Sequence, residues 1–272
     1  MHLRLLDMAS HSMACALLAP LLPFAAAQGA TETDRLMPTL SPQINAAPSL
    51  TPTIQDPTAP NPQDCPGYQV SNIEDSAQGF RADLTLAGAP CQAFGNDIAD
   101  LILNVEYQTR DRLNVQMYPR DIVPSNSSKL ILSDTLVYSP AADGSTTAAD
   151  HDLTFTWDNE PSFQFRVNRA TIGEELFSTY GHVIVFEDQF LELKTNMVED
   201  YNVSGLAENT RDFCLGTNAT QPFYAFDTGN TVDGNACSTH PFYQETRYEK
   251  GANSTAHGVY ARNGKSTIRI SV

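Results

Sequence analysis

The chain has 272 residues, and its 16 Lys plus Arg against 32 Asp plus Glu give a formal charge of −16. That length holds one large or two small domains. The acidic surplus repels phosphate backbones and anionic bilayer surfaces, so neither nucleic acid nor a membrane is an expected partner.

At the N-terminus, His2 and Arg4 precede the apolar run "MACALLAPLLPFAAA", which closes on Ala25-Ala26-Ala27. A short apolar core followed by small residues is the pattern of a secretory signal, so residues 1–27 are expected to be cut off near Ala27 and Gln28. The rival reading, a membrane anchor, needs about 20 apolar residues in succession, and Pro20 and Pro23 interrupt this run. Residues 28–64 carry Pro38, Pro42, Pro48, Pro52, Pro57, Pro60 and Pro62 among Thr, Ser, Ala and Asn. Proline at that density removes backbone donors and favours extended chain, so a disordered Pro/Ser/Thr-rich leader is expected there.

Export to the extracellular space agrees with two further features. Asn126, Asn202, Asn218 and Asn253 each open an N-x-Ser/Thr sequon. Loss of the signal removes Cys15 and leaves Cys65, Cys91, Cys214 and Cys237, an even set in an oxidising compartment. Three pairings are open; proximity in the chain favours Cys65–Cys91 and Cys214–Cys237. No C-x-x-C pair or close His/Cys set is present, so neither a metal nor a cofactor is expected.

The folded part is expected over residues 65–272, and its dominant period is two. "FRADLTL" puts Phe80, Ala82, Leu84 and Leu86 on one face, "LILNVEY" does so with Leu101, Leu103, Val105 and Tyr107, and "LNVQMY" with Leu113, Val115 and Met117. "NDIADLIL" has room for one helical turn. Further on come "LTFTW", "FQFRV", "VIVF", "FLELK", "HGVYA" and "STIRISV", each bounded by Gly, Pro, Asn or Asp. Short strands of this kind bury one face each, which predicts an all-β antiparallel sandwich.

The stretch "TFTWDNEPSFQF" poses the question of chemistry. Two carboxylates beside an aromatic ring suit a sugar-cleaving site, and Asp158 and Glu160 follow Trp157, the one tryptophan of the chain. The alternation Leu153, Phe155, Trp157, resumed as Phe163, Phe165, Val167, makes Asp158-Asn159-Glu160-Pro161 a hairpin turn instead, with Trp157 in the core. No nucleophile elbow, H-E-x-x-H, phosphate loop or dinucleotide fingerprint occurs, and His151, His182, His240 and His257 are scattered.

Several longer strings occur in one order and spacing: "DCPGYQVSNI", "GFRADLTLAGAPCQAFGNDIADLILNVEYQTRDRLNVQMY", "SFQFRVNRATIGEELFSTYGHVIVFEDQFLELKT", "SGLAENT", "STHPFYQETRY" and "AHGVYARN". Together they resemble the N-terminal domain of fungal glycoside hydrolase family 31 α-glucosidases, from about Cys65 to the end. The resemblance implies a galactose-mutarotase-like β-sandwich that precedes a (β/α)₈ barrel, in the same or a separate chain. It implies α-linked glucosides or oligosaccharides as ligands. In the family the barrel supplies an Asp nucleophile in W-x-D-M-N-E and an Asp acid/base, the two carboxylates of retaining hydrolysis. Neither is found here, so no catalytic residue is assigned, and this chain alone is expected to have no turnover.

The family sandwich lends the sugar pocket a loop Asp, in a stretch like W-N-x-D-A. The matching stretch here is "FYAFDTGNTVDG", which makes Asp227 the expected substrate contact and Tyr224 a neighbouring aromatic wall. An acidic residue before a Thr-Gly turn is an equally good plain loop position. The chain also departs from the family: Ala207 stands where G-L-G-E-H-T has its second Gly, and Ser204 replaces a Tyr, which makes Asn202 a sequon. Three functions stay open: part of a secreted α-glucosidase, a stand-alone carbohydrate-binding accessory module, or an inactive truncated duplicate.

Overall fold

The computed structural model describes residues 2–8, 60–122, 151–199, 201–209, 212–215, 220–223, 235–248, 254–262 and 267–269. In chain order the strands are β1 (His2–Met8), β2 (Tyr68–Ser76), β3 (Gly79–Leu86), β4 (Asp100–Thr109), β5 (Arg112–Pro119), β6 (Leu153–Asp158), β7 (Gln164–Arg169) and β8 (Glu175–Ser178). They continue as β9 (Val185–Phe186), β10 (Leu191–Glu192), β11 (Asn202–Asn209), β12 (Thr220–Pro222), β13 (Asn235–Arg247), β14 (Thr255–Arg262) and β15 (Thr267–Arg269). A single 3₁₀ turn, Pro62–Asp64, is the helical element among the described residues.

Eight strands form one antiparallel sheet in the order β11-β13-β14-β1-β5-β4-β3-β2, and β6-β7-β8 form a second. The two layers share one core, as expected of a sandwich. Leu84, Leu101, Leu103, Leu113, Val115 and Met117 of the large sheet belong to the same buried cluster as Phe165, Val167 and Phe177 of the small one. The seam is aromatic: Phe80 of β3 lies 5.7 Å from Phe155 of β6, and Phe155 stacks on Phe165 at 5.2 Å. Ring pairs at such separations add specific geometry to the area they bury. The β6 edge is also tied across the layers, since the Phe155 amide donates to the Tyr107 hydroxyl at 3.0 Å.

The period-two runs become β3, β4 and β5 with the predicted faces inward. "NDIADLIL" does not form the helical turn: Asp97 makes an isolated antiparallel bridge with Glu187, and the strand β4 starts at Asp100. Backbone pairing with a neighbour satisfies those groups where a lone turn would leave most of them open.

The sheet also reaches outside the residues 65–272 expected to fold. His2–Met8, read as the head of a removable leader, lies between β5 and β14, with Leu5 fully buried. The reason is positional. β5 and β14 do not pair with each other, and an extended segment between them completes both ladders, with Leu5 in the core.

Candidate functional site

"WDNE" is a hairpin end. β6 and β7 pair from Leu153 opposite Arg169 to Asp158 opposite Gln164. The Asp158 carboxylate accepts the Glu160 amide at 2.9 Å, a local turn bond, and both acids are exposed. Asn159 is spent on the backbone of Val70, accepting from its N–H at 2.8 Å and donating to its carbonyl at 3.1 Å. Trp157 packs against the core.

Three of the strings that carry the family resemblance meet at one loop node. Cys65 and Cys91 are joined by a disulfide, which bears out that pairing. The Tyr68 hydroxyl, buried among Ile98 and Phe186, lies 2.8 and 3.0 Å from their carbonyls. Burial, with the charges of Asp97 and Glu187, pushes its pKa up, so it remains a neutral donor. Gly67 has φ +68°, and a Cβ there would stand 2.7 Å from the Ser162 hydroxyl, so only glycine fits this turn. The Cys91–Asp97 loop is held by acids: Glu187, 1% exposed, accepts the amides of Ala93 and Phe94 at 2.7 and 2.9 Å. Asp188 accepts the Asn96 amide at 2.9 Å, and Asp97 that of Gln92 at 2.7 Å. These carboxylates have architectural work: Glu187 satisfies buried and part-buried backbone donors, and Asp97 and Asp188 fix exposed amides of the same loop.

A second polar centre lies between the sheets. Arg247 of β13 contacts Glu245 at 2.7 Å and Glu174, in the β7–β8 turn, at 3.2 Å, and donates to the Glu175 carbonyl at 2.6 Å. Arg169 meets Glu174 at 3.0 Å. His257 of β14 has Nε2 3.4 Å from Glu245, and both side chains are buried. Burial raises Glu174, but the Arg169 hydrogen bond and the Arg247 charge outweigh it and hold the carboxyl below its ordinary value. For Arg247, burial works against the charge, and hydrogen bonding to Glu245 more than restores it. His257 goes the other way: burial lowers its pKa to about 4, only partly offset by Glu245. Sequence reading missed this centre because its members come from three separate strings. The signal was there in "FYQETRY", where Tyr243, Glu245 and Arg247 share the inward alternation.

Among the described residues no group of three or more His, Cys, Asp or Glu could hold a metal ion, and no helix is long and apolar enough to cross a membrane. The expected sugar contacts Tyr224 and Asp227 lie outside the described residues, as do Asn126, Asn218 and Asn253. Asn202 opens β11, the edge strand of the large sheet, and is half-buried. The positive φ in this stretch falls on Gly205 (110°) and Leu206 (68°), not on Ala207, so the alanine is accommodated.

The expected Cys214–Cys237 bridge is corrected: Cys214 is a free, exposed cysteine. The register explains it. Leu215 donates its amide to Val203, which faces Glu245, whereas position 237 of β13 lies near the far end, between the pairs Ala207–Thr239 and Asn209–Asn235. Five residues of strand separate the two places, about 16 Å at strand rise, and a disulfide spans less than about 7 Å between Cα atoms.

No family model matches the chain. Among known proteins, it is 38% identical to an α-glucosidase of Aspergillus niger over 277 residues, covering 93% of this chain and 28% of that protein. An α-glucosidase of Aspergillus oryzae is 43% identical, with 78% of this chain and 22% of the relative covered. An α-glucosidase of Schizosaccharomyces pombe is 42% identical over 70% of this chain and 19% of its own length. A family 31 dextranase of Flavobacterium johnsoniae aligns in structure with a TM-score of 0.42 and 11% identity, over 76% of this chain and 26% of the dextranase. The chain thus spans about a quarter of the length of these relatives. By its sequence, it is a partial, N-terminal-like segment belonging to the glycoside hydrolase family 31 α-glucosidases.

Proposed function

We propose that this sandwich is the carbohydrate-binding N-terminal part of a secreted family 31 α-glucosidase, and that it does not hydrolyse glycosides by itself. The observation that carries the reading is identity of 38–43% to three α-glucosidases, spread over 70–93% of the chain. The hydrolytic chemistry is assigned to a (β/α)₈ barrel in the same or a separate chain, because retaining cleavage needs two carboxylates flanking one bond. The paired acids closest to that description, Asp158 and Glu160, are turn residues. Asp227 is proposed to contact sugar hydroxyls, with Tyr224 beside it. Residues 1–27 are proposed to direct export, and the sequon asparagines to carry glycans.

Two assays test this. Calorimetric titration of the 272-residue chain with maltose and longer α-glucans should show binding that Asp227→Ala abolishes. Incubation with an aryl α-glucoside should release nothing; turnover by the purified chain would remove the division of labour proposed here.

A second reading, a module freed from docking onto a barrel, is favoured by Asn202, whose sequon depends on Ser204 at the edge of the large sheet. A glycan there would crowd any domain seated against β11. Glycopeptide mapping decides it: an unmodified Asn202 removes this reading's support.

A further inference from the structure

β1 is held from both sides by backbone pairing. Seven of its residues face β14, from His2 opposite Arg262 to Met8 opposite Ala256, and five face β5, from His2 opposite Gln116 to Leu6 opposite Arg112. At its centre Leu5 stands opposite Leu113 on one side and Val259 on the other, all three buried in the shared core. Both pairings are antiparallel, so β5 and β14 run parallel to each other with one strand's width between them.

The remainder of the large sheet is already complete on either side: β5-β4-β3-β2 forms one ladder and β11-β13-β14 another. β1 alone links them within the sheet. Both neighbours of β1 lie more than a hundred residues further along the chain, so neither pairing is a hairpin. Without β1 the sheet would show two facing rows of unpaired N–H and C=O groups over an open core, the arrangement that captures extended peptides by strand addition. Main-chain bonds would give the affinity, and the inward side chains the selectivity.

We infer that the space between β5 and β14 is a strand-accepting site. It takes a seven-residue extended peptide, antiparallel to both edges, with a leucine-sized apolar side chain at the central inward position, and His2–Met8 occupies it as a separable ligand.

The test keeps the full chain. A sequence-specific protease site is placed after Ser10, ahead of the apolar run, and the folded protein is cut under native conditions. The N-terminal fragment should stay with the remainder through gel filtration, and an excess of synthetic MHLRLLDM should displace it one for one. A peptide carrying Leu5→Lys should compete at least about tenfold less well, the factor expected for losing one buried leucine. If the remainder aggregates on cutting, rescue by the native peptide but not by the Leu5→Lys peptide supports the site. Release of the fragment from a remainder that stays folded and ignores the peptide overturns the inference. So does an aggregated remainder that the peptide does not rescue.

Discussion

His257 should make this protein lose stability in mild acid, and the size of the loss follows from its surroundings. The ring is buried on β14, beside Glu245, with the Arg247 and Arg169 charges and Glu174 close by, and its pKa falls from 6.5 to about 4. Above about pH 6.5 the imidazole is neutral in both folded and unfolded chains and contributes no pH dependence. Between 6.5 and about 4 the unfolded chain takes up a proton that the folded one refuses. Stability therefore drops by about 1.4 kcal/mol per pH unit in that window, an upper limit of about 3 kcal/mol by pH 4. The assay is urea denaturation of the wild type and His257→Gln from pH 8 to pH 4. The variant is neutral throughout, so the difference between the two midpoints should be flat above pH 6.5 and shrink steadily below it. A difference that does not change between pH 6.5 and pH 4 would refute the placement of a neutral, buried ring. The low pKa of Glu174 adds a second loss at still lower pH, as its carboxylate is protonated and releases Arg169 and Arg247.

Glu187→Ala should destabilise by about 2 kcal/mol or more, since it leaves the buried Ala93 amide and the part-buried Phe94 amide without their acceptor; urea midpoints measure it, and a loss under about 1 kcal/mol would contradict that role. Alkylation of the unreduced protein followed by peptide mapping should label Cys214 and spare Cys65 and Cys91, which react only after reduction. Replacing both Cys65 and Cys91 by Ser should cost about 3.5 kcal/mol, the loop-closure value for a separation of 26 residues, read from the shift in denaturation midpoint. Asp158→Ala should cost no more than about 1 kcal/mol, the worth of one exposed turn bond, and leave any glycan binding unchanged.

The sequence by itself determined the material of the layers. A strand's side chains alternate faces with a fixed period of two, so "FRADLTL", "LNVQMY" and "LTFTW" declare both their conformation and their buried face without reference to anything distant. The same local rule read "WDNE" as a turn, because an acid that accepts the amide two residues on needs nothing from the rest of the chain. The Cys65–Cys91 bridge was legible for a related reason, as its short separation keeps the two residues near one another in any compact fold. What the tertiary structure decided is everything that depends on register between distant strands. Cys214 and Cys237 look like partners along the chain, yet the pairing of β11 with β13 holds their positions several residues apart. Glu174, Glu245, Arg169, Arg247 and His257 come together only when the β7–β8 turn meets β13 and β14. The N-terminal strand is the plainest case. His2–Met8 has no clean alternation, with Leu5 and Leu6 adjacent, and it becomes a strand because it lies beside the edges of β5 and β14, which form from residues more than a hundred positions away. Hydrogen bonding along a strand edge is set by what lies beside it in space, and that neighbour is written nowhere in the local sequence.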